Sequence, residues 1–142
     1  MPDWDSRKRA TARQQPEWRD VCAIDDVLPG TALPVLVAGQ QIAVVRTKRG
    51  LFSALSNFDP FSGAFVIARG VVSERDQVPN IASPIYEQRF SLETGECLQD
   101  RSVRLNVFPI RVRGGRIQIA VLDLEPPPSE KFALRKGAND EE

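Results

Sequence analysis

Two stretches of this sequence, SNFDPFSGAFVIARG at residues 56–70 and ASPIYEQRFSLETGE at residues 82–96, each have the form of a loop followed by an anchoring strand. In the first, an Asp-Pro pair precedes Gly63, which allows the backbone to turn back tightly. In the second, a Ser-Pro pair leads into a strand that closes at a turn around Gly95. Both look like loops built to hold a ligand, yet neither contains a cysteine or a histidine.

The rest of the chain is a series of short β-type runs, separated by turn signals about every ten residues. One hairpin is predicted at Gly39, between LPVLVAG and QQIAVVRTKRG, and another at Gly114-Gly115. After the second turn, Ile117, Ile119 and Val121 recur at every second position, as in a strand with one buried face. The pattern predicts an all-β fold, a sandwich or barrel of short antiparallel strands.

The chain divides into three parts by composition. Residues 1–16 are polar with alternating charge and are interpreted as a flexible N-terminal arm, with a basic binding patch as the alternative. Residues 17–122 carry the β pattern and form the predicted domain. Residues 123–142 form a Pro-rich tail with six acidic and three basic residues, and its triple proline prevents strand pairing.

The overall charge and composition exclude several classes of function. Nineteen Lys and Arg balance nineteen Asp and Glu, so the charge indicates neither nucleic acid nor membrane as a partner. No apolar run suits a secretory signal or a membrane helix, and a cytoplasmic location is expected. There, Cys22 and Cys97 are expected to be free thiols in or beside the core, rather than a disulfide or a reactive pair. Histidine is absent, which excludes Ser-His-Asp and Cys-His catalysis.

The two loops resemble those of Rieske iron–sulfur domains, which hold a [2Fe–2S] cluster with one C-x-H and one C-x-x-H loop. The residues after the loops match that family's frame, SGAFVIARG after the first and QRFSLETGECL after the second. The resemblance places the four ligand positions at Asp59, Phe61, Ser83 and Tyr86. These side chains are not the thiolate and imidazole set that such a cluster needs. The resemblance therefore implies a Rieske-like fold without a metal or cluster in this chain.

Within that superfamily, the chain is similar to the small subunits of cytoplasmic assimilatory NAD(P)H-dependent nitrite reductases, over roughly residues 18–121. The segments that carry this resemblance are W..VC.IDDVLPG, ALSNFDPFSGAFVIARGVV, ASPIYEQRFSLETGECL and VFPIRVRGGRIQI. In that family the large subunit carries FAD, siroheme and a [4Fe–4S] cluster and reduces nitrite to ammonium. The resemblance thus implies an accessory subunit that supports a large catalytic partner and has no catalytic residues of its own.

Two other functions remain open at this point. A Rieske-type ferredoxin would carry electrons itself, and its purified form would be red-brown. A free-standing Rieske-like binding module would use the same scaffold without a large partner. Because the ligand residues are missing, a colourless preparation without iron is expected, which would exclude the ferredoxin.

Phe58, Phe61, Ile85 and Tyr86 are candidate partner contacts at the tips of the two loops. Large apolar and aromatic side chains on exposed loops often anchor protein interfaces. The alternative is that they fold inward and fill the space that a cluster would occupy. The inward alternative is favoured for Phe61, which replaces a ligand that faces the interior, and not for Tyr86.

A hydrogen bond between the loops is also expected. If Asp59, Ser83 and Tyr86 lie where the ligands would be, Ser83 or Tyr86 can donate to the Asp59 carboxyl group. Such a bond would link the loops in place of iron and contribute about 1.5–3 kcal/mol.

Overall fold

The computed structural model describes residues 17–74 and 78–121. The predicted arm, the predicted tail and position 122 lie outside these ranges, so their boundaries stay predictions. The strands are β1 (Glu17–Ala23), β2 (Thr31–Val37), β3 (Gln40–Arg46), β4 (Phe52–Ser56), β5 (Phe58–Asp59), β6 (Ala64–Phe65), β7 (Val71–Ser73), β8 (Asn80–Ala82), β9 (Arg89–Ser91), β10 (Val107–Phe108), β11 (Ile110–Arg113) and β12 (Arg116–Val121). Short 3-10 turns span Ile24–Asp26 and Ile67–Arg69. No helix in this part of the chain has the length and apolar character needed to cross a membrane.

Antiparallel pairing organises these strands into four sheets. Their orders are β1-β12-β11, β10-β4-β3-β2, β5-β6 and β7-β8-β9. The hairpins predicted at Gly39 and Gly114-Gly115 are confirmed, since they join β2 to β3 and β11 to β12. The predicted all-β class of short antiparallel strands is therefore confirmed, and the described strands do not close into a barrel.

β3 is the central strand of the molecule because both of its faces are buried. Ile42 and Val44 pack into one apolar cluster, with Ile117 and Ile119 of β12. Ala43 and Val45 pack into a second cluster on the opposite face of the strand. A strand covered on both sides reads as a continuous apolar run, as IAVV does here. The second cluster lies under the two loops and consists of Ala43, Val45, Leu55, Ile67, Ala68, Ile81, Phe90, Leu92, Cys97 and Leu105.

The two cysteines are free thiols buried in the core, as the sequence predicts. Cys22 belongs to the cluster shared with β12, and Cys97 belongs to the cluster under the loops. Burial raises the pKa of the Cys22 thiol, and the nearby Asp26 carboxylate raises that pKa further. The neutral thiol is thus the stable form of Cys22 in the folded protein.

Both thiols are expected to resist alkylation in the folded chain. Iodoacetamide at pH 8 should label them at least about tenfold more slowly in buffer than in concentrated urea, because only the exposed thiolate reacts. Labelling of native Cys22 should increase only at a pH above the ordinary thiol range, since its pKa is raised. Mass spectrometry of the labelled peptides measures both rates. Equal labelling in buffer and urea would contradict the buried placement of these residues.

Candidate functional site

The first loop is a tight hairpin between β5 and β6. Phe58 pairs with Phe65, and Asp59 pairs with Ala64. Gly63 has a φ of +78°, and its N–H donates to the Asp59 carbonyl oxygen at 2.7 Å. Because this φ favours glycine, the Ser-Gly pair fixes the turn that the sequence indicates.

The second loop leaves β8 and returns to β9 in six residues. The Ser83 N–H donates to the Gln88 carbonyl oxygen at 2.9 Å, and the Glu87 N–H donates to the Ser83 carbonyl oxygen at 3.0 Å. Glu87 has a φ of +61°. The backbone is thereby closed into a turn whose outer residues, 84 to 87, are all exposed.

A buried hydrogen bond links the two loops. Ser83 Oγ donates to Asp59 Oδ2 at 2.6 Å, and the two residues are 1% and 0% exposed. The other carboxyl oxygen, Asp59 Oδ1, accepts the Phe61 N–H at 2.9 Å. The distance to Ser83 is typical of a hydroxyl that donates to a carboxylate. The hydrogen bond expected between Ser83 and Asp59 is therefore confirmed, and it joins the two positions that the resemblance assigns to cysteine ligands.

Tyr86 takes no part in this link. Its side chain is 61% exposed, and its hydroxyl forms no hydrogen bond within the described ranges. Ser83 reaches the Asp59 carboxyl group because it directly follows β8, where the chain is still buried. Tyr86 lies in the outer part of the turn, so the alternative in which it donates to Asp59 is wrong.

Phe61 faces inward, as its favoured alternative predicts. It is half-buried, and its ring centroid lies 6.2 Å from that of Phe90, which is fully buried. Phe61 packs against the core cluster under the loops. Its side chain thus fills space between the first loop and the core.

The sequence-based placement of Phe58 at an exposed tip is wrong. Phe58 is 2% exposed and lies in a run, residues 54–59, in which every residue is buried. Its ring packs on Phe65, with 5.1 Å between the ring centroids. Phe65 is 44% exposed and was missed by the sequence reasoning. The signal for it was its place opposite Phe58 in the hairpin, which is visible only once the turn at Gly63 is assigned.

Phe65, Ile85 and Tyr86 are the large apolar side chains that the two loops expose, and together they are called the outer loop surface. Ile85 is 45% exposed, and Tyr86 is the most exposed of the three. Single exposed apolar residues are ordinary, but three on a pair of linked loops are typical of a contact surface.

The four ligand positions do not fit a [2Fe–2S] cluster. Both carboxyl oxygens of Asp59 accept hydrogen bonds, and the Ser83 hydroxyl donates one of them. Phe61 has no donor atom, and Tyr86 points a phenol outward. No group of three or more His, Cys, Asp or Glu side chains that could hold a metal ion occurs in the described parts of the chain. The donor chemistry of these loops is therefore that of a hydrogen-bonded link rather than of an iron site.

Two glycines outside the loop tips allow close backbone approaches beside the loops. A Cβ on Gly70 would overlap the carbonyl oxygen of Ala82, the residue that precedes Ser83. A Cβ on Gly95 would overlap the carbonyl oxygen of Leu105, and its φ is +80°. The glycines in the segments that follow each loop thus allow close backbone contacts that no other residue permits.

Comparison with known proteins places this geometry in a family. Residues 17–120 match the Rieske-like [2Fe–2S] domain family. The nitrite reductase (NADH) small subunit of Salmonella typhimurium is 38% identical over 104 residues, which is 72% of this chain and 96% of that protein. The NMR structure of the Escherichia coli protein NirD matches with a TM-score of 0.70 and 34% identity, and the match covers 75% of this chain and 98% of that one.

A nitrite reductase [NAD(P)H] large subunit of Klebsiella oxytoca also matches, with 26% identity over 102 residues. The match covers 72% of this chain but 11% of that protein, so the related region is a small part of a much longer polypeptide. The chain thus belongs to the Rieske-like [2Fe–2S] domain family, and within it to the nitrite reductase small subunits.

Proposed function

We propose that this chain is the accessory small subunit of an NAD(P)H-dependent nitrite reductase and binds the large catalytic subunit through its outer loop surface. The observation that carries the proposal is the pair of Rieske-type loops, whose ligand positions are joined by the buried hydrogen bond from Ser83 to Asp59. These loops keep the backbone form of the family without its ligand side chains. The role that this leaves for them is to present a contact surface to a partner. The exposed members of that surface are Phe65, Ile85 and Tyr86.

The relatives support a direct contact between small and large subunits. A region related to this chain is part of a large subunit in Klebsiella oxytoca. In that protein the domain is covalently joined to the rest of the large subunit. A separate small subunit has to reach a comparable arrangement by non-covalent binding, which needs an exposed apolar surface.

The loops are suited to binding because they are held rigid before contact. Two backbone hydrogen bonds close the second loop, and the bond from Ser83 to Asp59 fixes it to the first. Rigid loops lose less conformational entropy on binding than mobile ones.

In this proposal the chain positions and stabilises its partner in the cytoplasm, and the reduction of nitrite to ammonium takes place on the FAD, siroheme and [4Fe–4S] groups of that partner. The ferredoxin alternative lacks support because the donor set does not fit a cluster.

Paired substitution of Ile85 and Tyr86 by aspartate is expected to abolish binding of the large subunit. Burying two unpaired carboxylates in an apolar contact should weaken the affinity at least about 100-fold. Affinity capture of the tagged chain, from cells that also produce the cognate large subunit, measures the loss as missing siroheme absorption. Phe61 is left intact because it packs on Phe90, so its substitution would also disturb the fold.

The matched control changes two exposed apolar residues in other loops. Leu28 and Leu51 are 66% and 55% exposed, and their replacement by aspartate should leave capture unchanged. Circular dichroism confirms that both double variants are folded. Normal capture by the Ile85→Asp, Tyr86→Asp variant would remove the outer loop surface from the proposal.

A further inference from the structure

Glu87 has a backbone conformation that glutamate rarely adopts. Its φ of +61° lies in the left-handed region, and Ala38 is the other non-glycine residue with a positive φ in the described ranges. A Cβ in this region is crowded by the following carbonyl oxygen, so glycine would be more stable at the same position. A strained residue at the outermost turn of a proposed contact surface points to a role for its side chain.

The Glu87 carboxylate is the exposed charge of the two loops. Residues 59–65 and 83–87 contain two charged side chains, Asp59 and Glu87. Asp59 is fully buried and linked to Ser83, whereas Glu87 is exposed. None of the ion pairs within residues 17–74 and 78–121 involves Glu87. The outer loop surface is therefore apolar, with one negative charge next to its most exposed residue, Tyr86.

We infer that Glu87 determines which partner the small subunit accepts, by pairing with a Lys or Arg on the large subunit beside the apolar contact. The inference rests on the proposed function and adds the chemistry of the partner's surface, an apolar area flanked by one cation. A partner without that cation would leave the carboxylate unpaired when water is excluded, and such a contact is unfavourable. A cation on the large subunit opposite Glu87 also accelerates productive encounters between the two subunits.

Glu87→Gln removes the negative charge of the side chain and keeps its shape. The isolated large subunit should bind this variant about tenfold more weakly than the natural chain at low salt, and the difference should shrink as the salt concentration rises. Glu87→Arg should weaken binding further, because it places like charges together. Surface plasmon resonance at several salt concentrations measures both effects.

Glu87→Gly separates binding from folding. This variant should melt a few degrees higher than the natural chain, since the strain is relieved, yet bind the large subunit about tenfold more weakly. Ala38→Gly is the matched control, because Ala38 has a φ of +50° in the turn between β2 and β3. It should also melt at a higher temperature and bind normally.

The outcomes distinguish this inference from the proposed function. If Glu87→Gln binds as tightly as the natural chain at every salt concentration while the Ile85→Asp, Tyr86→Asp variant does not bind, the role of Glu87 is overturned and the docking surface stands. If neither set of changes affects binding, both the inference and the docking surface are wrong. Weaker binding of Glu87→Gln that is relieved by salt, together with normal binding of Ala38→Gly, supports the inference.

Discussion

Replacement of Gly95 by alanine is expected to lower the free energy of unfolding by about 3 kcal/mol. Two effects combine at this position. The φ of +80° disfavours any side chain, which costs about 1–2 kcal/mol. The added methyl group would also overlap the carbonyl oxygen of Leu105 and come within 3.0 Å of the Val107 side chain, so the backbone has to move. The same backbone segments are joined by the Leu105 N–H, which donates to the Gly95 carbonyl oxygen at 2.8 Å.

Gly39→Ala is the matched control for this prediction. Gly39 has nearly the same φ, +78°, but a Cβ there would meet no atom within 4 Å. Its substitution should therefore cost only the conformational part, about 1 kcal/mol. Urea unfolding followed by tryptophan fluorescence gives both values. Equal losses for the two variants would show that the close approach to Leu105 is unimportant for stability.

Loss of the hydrogen bond between the two loops should lower the free energy of unfolding about as much as Gly95→Ala. Asp59→Ala is expected to lower the free energy of unfolding by about 3 kcal/mol, because it leaves the Phe61 N–H and the Ser83 hydroxyl without their acceptor. Ser83→Ala should cost about 2 kcal/mol, since Asp59 is fully buried and keeps only one of these two hydrogen bonds. The double variant should lose about 2 kcal/mol less than the sum of the single losses, because the two changes remove the same bond.

An exposed pair of the same residue types provides the control. Ser102 Oγ donates to Asp100 Oδ1 at 2.6 Å, the same length as the buried bond, but both residues are exposed. Hydrogen bonding from Ser102 lowers the pKa of the Asp100 carboxyl group. Water replaces a lost partner there, so the equivalent double-variant cycle should give a coupling energy below about 0.5 kcal/mol. Coupling as weak in the buried pair would show that its bond does not hold the loops together.

The longer strands of this protein could be predicted from the sequence, because the alternation of buried and exposed residues is a local pattern within each strand. In β12, Ile117 and Ile119 are buried and alternate with the partly exposed Gln118. Turn glycines such as Gly39 and Gly114 lie where the hairpins reverse, so the boundaries followed from turn chemistry. The family resemblance added the assignment of the four replaced ligand positions, which stays a prediction.

The directions of the loop side chains could be predicted only in part. The strands that flank the first loop, β5 and β6, have two residues each, which is too short for alternation to show a buried face. Phe58 was therefore placed outside although it is buried, and Phe65 was overlooked although it is exposed. The inward direction of Phe61 could be predicted, because the resemblance places it where a ligand faces the interior.

By itself, the sequence determined the antiparallel β fold and the turns of the two loops, because these depend on residue types and local spacing. The resemblance to Rieske domains implied that Asp59, Phe61, Ser83 and Tyr86 replace the cluster ligands, and none of the four is a cysteine or a histidine. Only the tertiary structure decided which of these residues meet. Ser83 rather than Tyr86 donates to Asp59, across 24 positions of sequence, because β8 delivers it to the buried side of the first loop. Contacts between distant segments depend on how the strands pack, and no local pattern contains that information.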